Sequence, residues 1–238
     1  MSALRRLVKR AYLPLENFFI PTESLKSSQQ KWNGLARKNA RYFVCTSLGE
    51  NVSNEVLRQS GEQDYLRLVK GDEILRTRLG DFKERNVLEV GCGIGRVTEF
   101  LARDFKEVFG ADISEEMVTR AKARLHGQGH VYFIVNDGSH YPFADNAFDF
   151  VFSYLVLQHI AEKEAVRQNF REIERTLKPT GVAKIQLRGV PIRKYKWSYG
   201  VHFDLRSARA LLDGFRLKVF KHEGEGQKNF WIWLAKGP

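Results

Sequence analysis

The sequence predicts an α/β fold: an open parallel sheet whose last strand runs antiparallel. Three observations predict it. Residues 86–102 read as a buried strand, a glycine turn and a helix in immediate succession. From 86 to 187, short apolar runs alternate with stretches of helical spacing, the pattern of parallel strands joined by crossover helices. Near the end, two apolar runs are joined only by Glu223-Gly-Glu-Gly-Gln227, a short connection that fits a hairpin.

Taken in order, residues 1–20 mix Leu4, Leu7, Val8, Ala11 and Tyr12 with Arg5, Arg6, Lys9 and Arg10, a basic amphipathic helix stopped near Pro14. The polar stretch 22–30 reads as a loop. Residues 31–43 put Trp32, Leu35 and Ala36 on one helical face. A stronger helix is predicted over 61–79, where Leu66, Val69, Ile74 and Leu75 keep helical spacing across Gly71. The first strand is 86–91, an apolar run of Val87, Leu88 and Val90, and its helix covers about 95–103. The second strand is 107–113, after which Ser114 caps a helix that turns Met117 and Ala121 inward. The third is 131–135, ending in Asn136-Asp137-Gly138. The fourth is the apolar run 148–157. A helix over 162–177 is ended by Lys178-Pro-Thr-Gly181, and 182–187 is the fifth strand. Residues 207–212 make the next helix, and 215–221 with 230–235 make the hairpin.

With 238 residues, 43% hydrophobic and 28% charged, the chain can bury a sizeable core in one large domain. No apolar run approaches the ~18 residues of a membrane span. The basic N-terminus lacks the apolar centre of a signal peptide, so a cytoplasmic location is expected. Cys45 and Cys92 form neither a disulfide framework nor a metal-binding spacing, and no metal is expected. The net charge of +11 is uneven: +7 over residues 1–46, −4 over 47–180 and +8 over 181–238. Basic flanks suit nucleic acid, anionic lipid or an acidic substrate, and equally suit ordinary solvated surface.

The chemistry concentrates at the glycine turn. Gly91-Cys92-Gly93-Ile94-Gly95 leaves the backbone bare beside a helix N-terminus, where a ligand can approach it. Cys92 needs only to be small there. Glu89 adds a negative charge that would repel a pyrophosphate but suits a cationic amine or sulfonium. The stretch Glu89-Val-Gly91-Cys-Gly93-Ile-Gly95 resembles, in full, the E/D-x-G-x-G-x-G motif of class I S-adenosylmethionine (SAM) dependent methyltransferases. The dinucleotide fingerprint G-x-G-x-x-G wants its third glycine where Arg96 stands.

The resemblance covers about 86–181 well and the hairpin loosely. It implies SAM as cofactor and a three-layer, Rossmann-like sheet of seven strands in the order 3-2-1-4-5-7-6. Residues 1–80 would then be a helical extension or lid and 81–238 the methyltransferase domain. It also implies cofactor contacts. Glu89, Gly91, Cys92, Gly93 and Gly95 form the cradle. Asp112, ending the second strand, accepts the ribose hydroxyls, although an acid there also suits the following helix dipole. Ile113 follows it, and Met117 packs on the adenine, although alone it reads as core. In Asn136-Asp137-Gly138, Asp137 is the acceptor for the adenine amine, although the tripeptide is also a turn former. Ser153 and Tyr154 face the methionine end.

On the acceptor side stand Gln158 and His159. His159 can take a proton from an acceptor hydroxyl or amine, or simply cap and pack at a helix start. Methyl transfer needs little more than an in-line geometry and a dry site. Trp32 and Tyr42, with Phe43, form an aromatic group that can wall off water, while Arg37, Lys38 and Arg41 can meet an anionic acceptor. The expected acceptor is a small molecule, a lipid-linked molecule or a saccharide, at oxygen, nitrogen or carbon. An RNA substrate on the basic flanks, or a catalytically silent SAM-fold subunit, is the alternative. The basic start also fits peripheral contact with an anionic membrane. Ser153-Tyr-Leu-Val156 replaces the N/D-P-P-F/Y motif of amino-group enzymes on nucleic acid, and neither cysteine lies where a cytosine-C5 nucleophile would.

Overall fold

A computed structural model describes residues 23–191 and 200–237. The helix expected over 1–20, with its Arg5, Arg6, Lys9 and Arg10 cluster, lies outside the described residues. Seven strands form one sheet: β1 (Asn86–Val90), β2 (Glu107–Asp112), β3 (Val131–Val135), β4 (Phe148–Ser153), β5 (Leu177–Leu187), β6 (Leu217–Glu223) and β7 (Phe230–Lys236). Their order is β3-β2-β1-β4-β5-β7-β6, as the family resemblance implies. The first five run parallel, and β7 is antiparallel to both β5 and β6.

Period-2 alternation sends side chains to two different cores. Leu88, Val90, Ala111, Val151, Ile185 and Ile232 face one side, under α6 (Lys163–Thr176) and α7 (Leu205–Leu211). Val87, Val108, Phe150, Phe152, Val182 and Trp233 face the other, under α3 (Glu73–Leu79), α4 (Thr98–Asp104) and the turn at Leu66–Lys70. Ser114 caps α5 (Glu115–Arg124) as expected, its Oγ accepting from the Met117 N–H at 3.1 Å.

Beyond shifts of two or three residues at element ends, four boundaries differ from the sequence reading. The polar stretch 22–30 is not a loop: α1 (Glu23–Val44) begins at Glu23, and its Ser27 and Ser28 are polar because they line a cavity. Asn39 interrupts α1 with φ −165°; its Nδ2 donates to the Glu50 carbonyl and its Oδ1 accepts from the Tyr42 N–H. The helix expected over 61–79 is two, α2 (Asn54–Tyr65) and α3, separated by a π turn at Leu66–Lys70. Asp72 ends that turn because its side chain accepts from the N–H groups of Ile74 and Leu75, capping α3. Strand four stops at Ser153: Leu155 takes φ +61°, and Val156 and Leu157 are apolar because they pack against Gly91 and the first core. Finally, β5 starts at Leu177, which pairs with Phe148 across a bulge, so 178–181 lies within the strand.

The chain before residue 80 also joins the domain core. Tyr65, Leu68, Val69, Leu75 and Leu79 share one apolar cluster with Val87 and Phe100. Below them, Lys184 Nζ on β5 lies 2.7 Å from Asp72 Oδ2, which also accepts from Trp233 Nε1 at 2.9 Å. Gly61 on α2 lies so close to the Arg96 carbonyl that a Cβ would come within 2.2 Å of it. That contact seats α2 directly against the glycine turn.

Candidate active site

A cavity of about 290 Å³ opens at the carboxyl ends of β1, β2 and β4, and α1 forms part of its wall. Its floor is the glycine turn. Gly91 and Gly93 take φ +75° and +54°, which side-chain-bearing residues rarely adopt. A Cβ on Gly91 would lie 2.1 Å from Val156 Cγ2, and one on Gly93 would lie 2.8 Å from Val44 Cγ1. The turn is held by the N–H groups of Gly91 and Cys92, both donating to the Ala111 carbonyl.

Asp112 is built into the same turn. Its Oδ2 accepts from the Gly93 N–H and its Oδ1 from the Ser114 N–H, each at 2.9 Å. Each oxygen keeps a further lone pair, as a bidentate acceptor for a vicinal diol requires. Burial raises the proton affinity of this carboxyl, against those backbone donors. Glu89 is also buried and accepts from Thr98 Oγ1. Burial pushes its pKa up to about 7, against the Thr98 bond and the Arg96 charge. Two carboxylates in one cavity favour a cationic ligand. Arg96 is itself buried and tied to Asp64 Oδ2 at 2.7 Å and Ser60 Oγ at 3.2 Å, both on α2.

The third strand end is where the structure separates two neighbours. Asp137 does not line the cavity. Its Oδ1 accepts from the N–H groups of Ser139 and His140 and from Ser139 Oγ, the turn-forming role of such a residue. Asn136 does line it, and its Oδ1 is buried with no hydrogen-bond partner. A buried acceptor without a donor awaits one. Gly138, Ile113 and the buried Met117 complete this end of the wall. The donor set therefore fits SAM: a diol acceptor at Asp112, an amine acceptor at Asn136, apolar packing at Ile113 and Met117, and negative charge at Glu89.

Of the other expected site residues, Cys92, Tyr154, Trp32 and His159 line the cavity. Burial raises the Cys92 thiol and, with Asp64, the Tyr154 phenol, so both stay protonated. Four lie behind the wall. Gly95 faces Leu125 and Phe133, where a Cβ would meet both at 3.2 Å. Ser153 donates its hydroxyl to the Val90 carbonyl at 3.0 Å. Tyr42 packs edge-on against Phe43, which does line the cavity. Gln158 is buried next to His159. Arg37, Lys38 and Arg41 are exposed on α1, away from the lining. The sequence reading missed Val44, Arg96, Leu155, Val156 and Glu162 as lining residues. Arg96 directly follows the last turn glycine, which is the one available signal; Leu155 and Val156 are hidden inside an apolar run that reads as strand.

Residues 88–185 match the family model described as a methyltransferase domain. The chain is 35% identical over 133 residues to phosphoethanolamine N-methyltransferase 2 of Caenorhabditis elegans, covering 54% of this chain and 28% of that protein. It is 34% identical over 124 residues to methyltransferase GfsG of Streptomyces halstedii, covering 49% and 44%. It thus spans less than half the length of either relative. Among solved structures, it superposes on phosphoethanolamine N-methyltransferase 1 of Haemonchus contortus, in complex with phosphoethanolamine and S-adenosylhomocysteine. That match has a TM-score of 0.71 at 15% identity, covering 95% of this chain and 52% of that one, a likeness of fold. Among the described residues, no helix is long and apolar enough to cross a membrane, and no group of His, Cys, Asp or Glu is placed to hold a metal.

Proposed function

We propose that this chain, whose residues 88–185 match a methyltransferase domain, is a class I SAM-dependent methyltransferase that methylates a small-molecule acceptor. The observation that carries the reading is the pairing, on one cavity wall, of the diol-ready Asp112 carboxylate with the donorless Asn136 Oδ1. SAM supplies an activated methyl group on a sulfonium. The residues supply its surroundings: Asp112 and Asn136 orient the nucleoside, Glu89 offsets positive charge, and Trp32, Phe43, Tyr154 and Val156 exclude water. A small acceptor, free, lipid-linked or glycosidic, is supported by a cavity walled on several sides and by relatives named for methylating phosphoethanolamine.

Calorimetry with S-adenosylhomocysteine and with NAD tests the cofactor, with binding expected for the first alone. Turnover of methyl-labelled SAM against a panel of phosphobases, lipids, saccharides and RNA tests the acceptor. Label appearing in RNA and in no small molecule would overturn the acceptor class. Failure to bind S-adenosylhomocysteine would overturn the whole reading.

A further inference from the structure

A buried polar relay stands behind the cavity wall. Gln186 on β5 is fully buried. Its Oε1 accepts from the Leu155 N–H at 3.0 Å, and its Nε2 donates to the Leu187 carbonyl at 2.6 Å. A main-chain N–H only donates and a main-chain carbonyl only accepts, so these two groups set the orientation of the amide. The same Nε2 donates to Gln158 Oε1 at 3.2 Å. Gln158, buried as well, must then present its own Nε2 to His159 Nε2, 3.1 Å away. An amide nitrogen donates, so the imidazole nitrogen opposite it accepts and carries no proton.

We propose that Gln186 and Gln158 are positioning residues that hold His159 as the neutral imidazole with its proton on Nδ1. The methyltransferase reading is needed only for the catalytic consequence. In that role His159 is not a general base through Nε2, because that lone pair is already engaged. Protonating Nε2 would set an N–H against the Gln158 NH₂. The relay also holds Leu155, whose positive φ shapes the cavity wall, so the ring and the wall share one anchor. Among the described residues, the charged groups sharing the cavity with His159 are Glu89, Arg96, Asp112 and Glu162. Lys31 lies over the ring of Trp32, which meets the imidazole edge-on at 5.5 Å.

The test is nuclear magnetic resonance of the full chain carrying ¹⁵N-labelled histidine, with His159 assigned by its loss in His159→Asn. The expected wild-type spectrum has an acceptor-type Nε2 and a proton-bearing Nδ1, the reverse of what free histidine prefers. In Gln158→Glu a carboxylate can accept both from Gln186 Nε2 and from an Nε2–H of the ring. The proton affinity of His159 is then expected to rise by about tenfold or more, with Nε2 protonated. In Gln186→Leu the amide of Gln158 is released, and a mixture of tautomers is expected. Circular dichroism reports the fold of each variant, and S-adenosylhomocysteine binding reports the functional reading. A wild-type ring with its proton on Nε2, or a folded Gln158→Glu variant with unchanged tautomer and midpoint, would overturn the proposal. Loss of S-adenosylhomocysteine binding in the wild type, with the expected tautomer present, would overturn the functional reading and leave this one standing.

Discussion

Burial holds the Glu89 carboxyl near half-ionisation at neutral pH, with its pKa pushed from 4.5 up to about 7. The folded chain therefore binds this proton more tightly than the unfolded chain. The stability Glu89 contributes is complete below its ordinary value and is lost as pH rises through about 7. Glu89→Gln cannot ionise, so its Tm at pH 8 is expected above the wild type's, and the gap should shrink as pH falls through about 7 and close only below about 4.5. A bound cation favours the ionised form, so SAM affinity should rise with pH up to about 7 and then level, a dependence absent in Glu89→Gln. Calorimetry across that range reads both effects. Asp112→Ala is expected to weaken S-adenosylhomocysteine binding by about 1–3 kcal/mol, the usual loss for hydrogen bonds to a charged group. Glu89 and Asp112 were legible because each sits at a strand end that the glycine pattern brings into register. Asp137 was not. Asn136 and Asp137 offer the same kind of oxygen one residue apart, and only the turn's own N–H groups decide which is consumed.

At the scale of elements, the strands, the Ser114 cap and the closing hairpin could be read from alternation and spacing, while the strand order was implied by the family resemblance. The break between α2 and α3 could not, because the helical periodicity of Leu66, Val69 and Leu75 continues across it. What breaks the helix is the Asp72 side chain, which caps α3 and meets Lys184, a residue 112 positions away. The side chains of that ion pair are 5% and 6% exposed, so neither partner can turn to water. Lys184→Met is expected to destabilise the fold by about 3–5 kcal/mol, because it strands the Asp72 charge. Adding Asp72→Asn to it should recover part of that loss; chemical denaturation of the two variants checks the pair. A gain in stability from Lys184→Met alone would remove the pair from the account of how α3 docks. Strand four teaches the same lesson. Its apolar run continues past Ser153 because Val156 packs on Gly91, and packing of that kind leaves no local signature.

Over the whole molecule, α1 links chain that precedes the sheet to the cofactor cavity. Asn33 Oδ1 accepts from Ser114 Oγ at 2.8 Å and from the Glu116 N–H at 3.2 Å, at the head of α5. Ala36 and Ala40 pack with Ile94 and Met117, and Val44 lies over Gly93. The sequence suggested an acceptor-side lid; the packing makes α1 part of the cofactor wall as well. The two large cores on the faces of the sheet contain no residue of α1. Deleting residues 1–46 is therefore expected to leave a folded sheet with a lowered Tm. It should lower S-adenosylhomocysteine affinity by about tenfold or more, because Phe43, Val44 and the support beneath Met117 are lost. Deleting only residues 1–22 keeps α1 whole, and its affinity should stay within about twofold of wild type. Turnover lost in that shorter variant then belongs to the acceptor side. Its binding to anionic liposomes, compared with the full chain, reads whether the Arg5, Arg6, Lys9 and Arg10 cluster meets a membrane. Wild-type affinity in the chain lacking residues 1–46 would detach α1 from the cofactor site and return it to the role of a lid alone.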